Sequence, residues 1–162
     1  MQPRFEILPQ KKLVGKSSSS SFSNNNTAAL WQNFMPQRKK ITNSIGAAFY
    51  SVEIYDANFF NDFDPIKAFR KWAAVEVSDF DSVPEEMEIL TIPTGLYAVF
   101  LHKGSAAEGV KTYRYIFTQW LPASEYELEN RPHFALMGEK YKNDDPNSEE
   151  EIYIPVKFKT KQ

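Results

Sequence analysis

The chain contains no cysteine, which removes disulfides, thiolate metal sites and thiol nucleophiles together. Histidine is scarce as well: His102 and His133 are far apart, lack metal-ligand spacing, and each reads as a strand residue. Glycine occurs six times, and Gly104 and Gly109 in "HKGSAAEG" do not give a phosphate-loop spacing. No GxGxxG and no Ser-His-Asp arrangement is present. No apolar run approaches a membrane span, and the opening "MQPRFEILPQKK" carries charges where a signal peptide needs an uninterrupted apolar stretch. Charge of one sign is also lacking. The net charge of −2 argues against a general nucleic-acid binder, which would show a basic face. Lys157, Lys159 and Lys161 read as a short solubilising tail. Together these absences point to a soluble, cytoplasmic protein with no metal, no cofactor, no membrane contact and no direct nucleic-acid contact.

What the chain does have is apolar and aromatic weight. Hydrophobic residues make up 42% and aromatics 15%, with 13 Phe and 8 Tyr in 162 residues, so residues 1–162 are expected to form one folded domain. "FEILPQKKLVG" reads as an extended segment interrupted by Pro9 and continuing through Lys16. By composition, Ser17 to Thr27 ("SSSSSFSNNNT") is a flexible linker, while Asn26 or Thr27 can cap a following helix. That helix carries Leu30, Trp31 and Phe34 on one face and is closed by Pro36. Ser44 to Asp56 is strand-like, "ANFFNDFDPIKA" is a loop unusually rich in Phe59, Phe60 and Phe63, and "FRKWAAVEVSDF" returns to strand.

The second half repeats the order. Glu85 to Gly104 holds two apolar runs parted by Pro93, Thr94 and Gly95. "AAEGVKTYRYIFTQWLP" carries an amphipathic stripe of Val110, Tyr113, Phe117, Trp120 and Leu121, ended by Pro122. "HFALMGEKY" and "EIYIPVKF" follow as strands, parted by an acidic turn. Its Asp144, Asp145, Asn147, Glu149 and Glu150 lack the central Gly and helical flanks of a calcium loop, so they read as solvated turn charges. "EIL" recurs at Glu6–Leu8 and Glu88–Leu90, and each helix ends in an apolar pair followed by proline. The shared order implies an α+β fold of duplicated β-α-β-β units, about 1–80 and 85–160. Such units form pseudo-two-fold antiparallel sheets with two main helices and a central cleft. Each helix stands alone between strands, which leaves no helix-turn-helix.

Under that symmetry the last strand of each half lines the cleft. Val75 and Val77 point one way, Ala74, Glu76 and Ser78 the other; Ile152, Ile154, Val156 and Phe158 oppose Glu151, Tyr153 and Pro155. Both polar faces could simply be solvated. Glu151, however, shares its face with Tyr153, and the chain has more rings (Phe49, Tyr50, Tyr55, Phe59, Phe60, Phe63, Trp72, Tyr97) than a small core readily uses. A carboxylate walled by rings suits an organic cation, each ring face contributing roughly 0.5–2 kcal/mol. The same surroundings raise a carboxyl pKa and suit a general acid or base. The residues leave both uses open. Candidate ligand-binding residues are Glu151, Tyr153, Trp72, Glu76, Tyr97 and Phe49, with Glu151 also the catalytic candidate should the chain be a hydrolase.

The blocks "VEVS…VPEEME…IPTGLYAVFLHKG", "WLPASEYEL…RPHF" and "EIYIPVK", in this order, resemble GyrI-like proteins, the effector-binding domains of AraC-type and multidrug-sensing regulators. The first half fits through "LVGKS" and "LWQNFMP". The resemblance implies the duplicated fold just described and recasts the serine run as the end of a strand. It implies a cleft for small, hydrophobic, often cationic ligands, with Glu151 as the counter-charge, acting as a stand-alone sensor or sequestering module. Other relatives hydrolyse cyclopropane-type compounds using cleft glutamate and aromatic residues, and others bind DNA gyrase, so DNA gyrase or a regulator is the protein partner the resemblance suggests. Ala74 departs from the glycine expected before Val75. The related regulators place a DNA-binding domain in front, and none is expected within these residues.

Overall fold

The computed structural model describes residues 1–61, 64–138 and 147–160. Phe63, Asp144, Asp145 and Lys161 lie outside them. The chain order is β1 (Arg4–Leu8), β2 (Lys11–Ser20), α1 (Thr27–Gln37), β3 (Phe49–Ile54), β4 (Phe69–Glu76), β5 (Glu88–Ile92), β6 (Gly95–Lys103), α2 (Ala106–Tyr115), β7 (Tyr126–Leu128), β8 (His133–Met137) and β9 (Glu149–Phe158). This is the expected α+β architecture. Pro9 does break the first extended run, because a residue without an N–H interrupts a ladder, and the serine run is strand as far as Ser20. Asn26 sits at the start of α1 without capping it; its side-chain amide instead donates to the Ser19 carbonyl at 2.6 Å. Pro36 lies inside the last turn, one residue before the helix ends. After Tyr115 the second helix widens into a π turn over Ile116–Trp120 and closes with a single turn at Leu121–Ala123. Val110 faces solvent, and the buried anchor of that helix is Ile116. The short β7, which the sequence pattern does not announce, pairs with the end of β9.

The strands form one antiparallel sheet in the order β1-β6-β9-β8-β3-β4-β2-β5. Its centre is the β3–β8 pair, where Ser51 faces Ala135, 84 residues on (135 − 51). The same shift relates the edges: Leu8 pairs with Gly95, and Lys11 pairs with Ile92. The leading strand of each half therefore pairs with the second strand of the other half. This exchange dictates the shape. Laid flat, β1 and β2 would stand six strands apart, about 29 Å at the usual strand spacing. Pro9 and Gln10 allow Leu8 and Lys11 a separation of no more than about 11 Å. Pro93 and Thr94 impose the same limit between β5 and β6. The sheet must curl until its ends meet, and the two connectors are stitched where Thr94 Oγ1 donates to the Leu8 carbonyl at 2.6 Å.

Curling gives the sheet an inner and an outer face. Both helices pack outside: Leu30 and Phe34 of α1 against Val14, Ala73 and Val75, and Ile116 with its neighbours against Ala98, Phe100, Ile152, Ile154 and Val156. The inner face holds a separate cluster that includes Leu13, Tyr50, Val52, Trp72, Ala74, Tyr97, Val99, Phe134 and Tyr153, all buried. One link of that enclosure depends on a glycine. The Arg131 guanidinium occupies the space where a side chain of Gly95 would stand, donates to the Leu96 carbonyl at 2.6 Å, and lies 4.9 Å from the centre of the Tyr97 ring.

Candidate functional site

Alternation along β9 turns Glu151 and Tyr153 inward and Glu150, Ile152 and Ile154 outward. The Tyr153 hydroxyl donates to Glu151 Oε2 at 2.9 Å. The same oxygen accepts from Arg4 Nη2 at 2.9 Å, and Arg4 Nε lies 3.6 Å from Glu6. Arg4 reaches this spot because β1 is the swapped strand that closes the curl. Burial opposes the charge of Arg4, but the hydrogen bond and charge of Glu151 outweigh it and hold the guanidinium pKa above its ordinary value. Burial and the adjacent carboxylate push the Tyr153 phenol upward, so it stays a donor across the physiological range.

Rings surround this acid. Phe134, the cross-strand neighbour of Tyr153, stacks on it at 4.5 Å and 10° between planes. Tyr97 meets both edge-on at 5.4 and 6.1 Å and donates its hydroxyl to the Pro132 carbonyl. Burial raises the Tyr97 phenol to about 12. Tyr50 continues the row on the other side of Phe134, at 5.4 Å. Of the residues singled out from sequence, Glu151, Tyr153 and Tyr97 thus stand together, and Trp72 lies on the same inner face in the other half.

Glu76 also faces inward, but apart. It accepts from Tyr50 Oη at 3.2 Å and lies 3.6 Å from Lys11 Nζ. The register shows that it is not the counterpart of Glu151. Glu151 pairs with Leu101 and Trp72 with Ser17; Leu101 and Ser17 are related by the 84-residue shift (101 − 17), so the mate of Glu151 is Trp72. Phe49 requires a correction: its side chain lies on the outer face, edge-on to Trp31 of α1 at 6.1 Å. The sequence shows that Phe49 and Tyr50 face opposite ways, and the helix takes the first. Glu149 and Glu150 also need revising, since both belong to β9 rather than to a turn. Burial raises the pKa of Glu150, which faces His102, Glu53 and Lys71 on the outer side.

Sequence reasoning missed Arg4, Phe134 and Lys11. Phe134 was accessible by alternation in "HFALM". Arg4 and Lys11 were not, because their partners lie far along the chain.

The loop aromatics serve elsewhere. Tyr55, Phe59, Phe60 and Phe69 pack into one outer-face cluster, against which Tyr55, Phe60 and Phe117 enclose His133. Burial lowers the His133 pKa to about 3 from an ordinary 6.5. The neutral ring is therefore the folded form. Its contribution to stability is complete above pH 6.5 and is lost as the pH falls toward 3, where the unfolded chain binds the extra proton. Urea titrations across that window should show a stability loss that His133→Phe reduces. An unchanged pH slope in the variant would contradict a buried neutral histidine.

Solved structures share this architecture. SAV2435, in its complex with tetraphenylphosphonium, superposes with a TM-score of 0.75 at 17% identity, covering 97% of this chain and 94% of its own. The C-terminal domain of EcmrR gives a TM-score of 0.70 at 20% identity, with 98% of each chain covered. In sequence, the transcriptional regulator BrlR of Pseudomonas aeruginosa is 27% identical over 157 residues, covering 96% of this chain. The chain spans 56% of the length of that regulator. Residues 1–157 match the family described as the GyrI-like small molecule binding domain, and the chain belongs to that family.

Proposed function

We propose that this domain binds lipophilic organic cations on the enclosed inner face, with Glu151 as the counter-charge and Tyr153, Phe134 and Tyr97 as the walls. The observation that carries the reading is the Arg4–Glu151–Tyr153 cluster: the carboxylate already holds an internal cation beside stacked rings. A hydrated ion gains little from ring faces, whereas a greasy cation gains both the rings and the charge. The complex of the related SAV2435 with tetraphenylphosphonium supports the same ligand class. Within a cell, the domain would serve as a sensor or sequestering module, the role suggested by its likeness to the ligand domain of a regulator.

Titration with tetraphenylphosphonium, followed by tryptophan fluorescence, tests the reading. Trp72 reports from the inner face, while Trp31 and Trp120 sit on the outer one. Saturable quenching is expected for the wild type. Glu151→Gln keeps the shape and removes the charge, and should weaken binding at least tenfold, since hydrogen bonds and contacts to a charged group contribute about 1.5–3 kcal/mol. Arg4→Ala removes the resident competitor and should tighten binding by roughly two- to fivefold, the scale of a partly exposed ion pair. Equal affinity in the Glu151→Gln variant would sink the proposal.

A further inference from the structure

The duplicated sheet presents two equivalent inward positions to one enclosed face. In the second half the position is Glu151, opposite Leu101; in the first it is Trp72, opposite Ser17. One is an acceptor that takes a cation. The other is a donor with nothing to give to. Trp72 is 6% exposed, and its Nε1 has no hydrogen-bond partner among the described residues. Buried donors of this kind are costly and rare. The polar groups around it are already engaged. Ser17 Oγ donates to Glu88 and accepts from Arg70 Nε, the Tyr50 hydroxyl donates to Glu76, and Glu76 also pairs with Lys11. The wall beside the indole is low as well, since Ala74 stands where the second half has Tyr153.

We infer that Trp72 is a specificity-determining donor, and that the preferred ligands are lipophilic cations that also carry a hydrogen-bond acceptor, such as a carbonyl or ether oxygen, remote from the positive centre. The inference rests on the cation reading above. Trp72 and Glu151 lie three strands and two residues apart, about 16 Å between Cα atoms on a flat sheet. Both side chains reach inward and the curl shortens the gap, which leaves the span of a drug-sized molecule rather than a small amine. The positive centre sits at Glu151 and the acceptor meets Trp72 Nε1 across the pseudo-two-fold. A ligand with the acceptor gains by pairing a buried donor that the protein alone leaves unpaired, and a ligand without it gains nothing there.

Two matched probes test this: tetraphenylphosphonium and its analogue bearing a 4-acetyl group on one ring. Wild-type protein should bind the acetyl analogue about tenfold more tightly, the scale set by satisfying one buried donor. Trp72→Phe keeps an aromatic ring and removes the N–H, and should abolish the preference, so that the two probes bind alike. The indole 15N–1H resonance of Trp72, assigned with Trp31→Phe and Trp120→Phe, gives a readout that does not depend on the variant folding; it should move downfield with the acetyl analogue and not with tetraphenylphosphonium. Equal wild-type affinities, or a preference that survives in Trp72→Phe, overturn this inference alone. Failure of both probes to bind wild-type protein overturns the cation reading with it.

Discussion

Replacing Glu53 by leucine is expected to destabilise the domain by about 3–5 kcal/mol, the cost of stranding a buried charge. Glu53 and Lys71 face each other across β3 and β4 on the outer side of the sheet, with Oε2 and Nζ 3.1 Å apart. Both side chains are 11% exposed, so water cannot take over when one partner is lost. Burial raises the Glu53 pKa, and the charge and hydrogen bond of Lys71 pull it back only part of the way. Glu150 lies within electrostatic reach of Lys71 and offers partial relief, which places the loss toward the lower end of the range. Lys71→Met should cost less than Glu53→Leu, because a stranded carboxyl can take up a proton at modest cost and a stranded ammonium gives one up less readily at neutral pH. The double variant Glu53→Leu/Lys71→Met should recover most of the loss, since apolar pairs often replace buried ion pairs without penalty. Urea unfolding at pH 7 measures all three. A Glu53→Leu protein as stable as the wild type would show that the pair is solvated in solution.

Gly15→Ala is expected to cost about 3 kcal/mol or to prevent folding, although a methyl group is the smallest possible addition. Gly15 lies mid-strand in β2, paired with Ala74 of β4 on one side and Glu88 of β5 on the other. A Cβ there would collide with the Ala73 carbonyl oxygen and come within 2.6 Å of Ala74 Cα. Both are backbone atoms, and neither can rotate away. Because β2 is hydrogen-bonded on both edges, it has no free side toward which to move. Gly138→Ala is the matched control, since a Cβ at Gly138 meets nothing within 4 Å; it should change stability by less than about 0.5 kcal/mol. A midpoint for Gly15→Ala equal to that of the control would mean that β2 and β4 separate more easily than their register implies.

Much of the architecture could be read from the chain because it depends on short-range periodicity. Period-two alternation in "EEEIYIPVKF" put Glu151 and Tyr153 on one face, and this holds because successive side chains in an extended strand must oppose each other whatever surrounds them. Apolar spacing at three and four residues located both helices, and Leu30 and Phe34 are buried as that spacing requires. The prolines marked real boundaries, since the missing N–H acts locally. Alternation could not say which side of a strand faces the cleft. Phe49 is a ligand-binding candidate by sequence, yet in an adjacent pair one ring must face each way, and packing against Trp31 decides which.

The sequence by itself determined the element types, the duplication, the pairing of Glu151 with Tyr153 on one face, and the surplus of rings. Those follow from local geometry and composition. Only the tertiary structure decided that Trp72, not Glu76, is the counterpart of Glu151, because equivalence depends on register between strands joined by loops of unequal length. Only the tertiary structure brought Arg4 to Glu151, 147 residues away. The physical reason is the exchanged leading strands: two-residue connectors force an eight-strand path to curl until its ends meet, and the residues that line the enclosed face are selected by that closure.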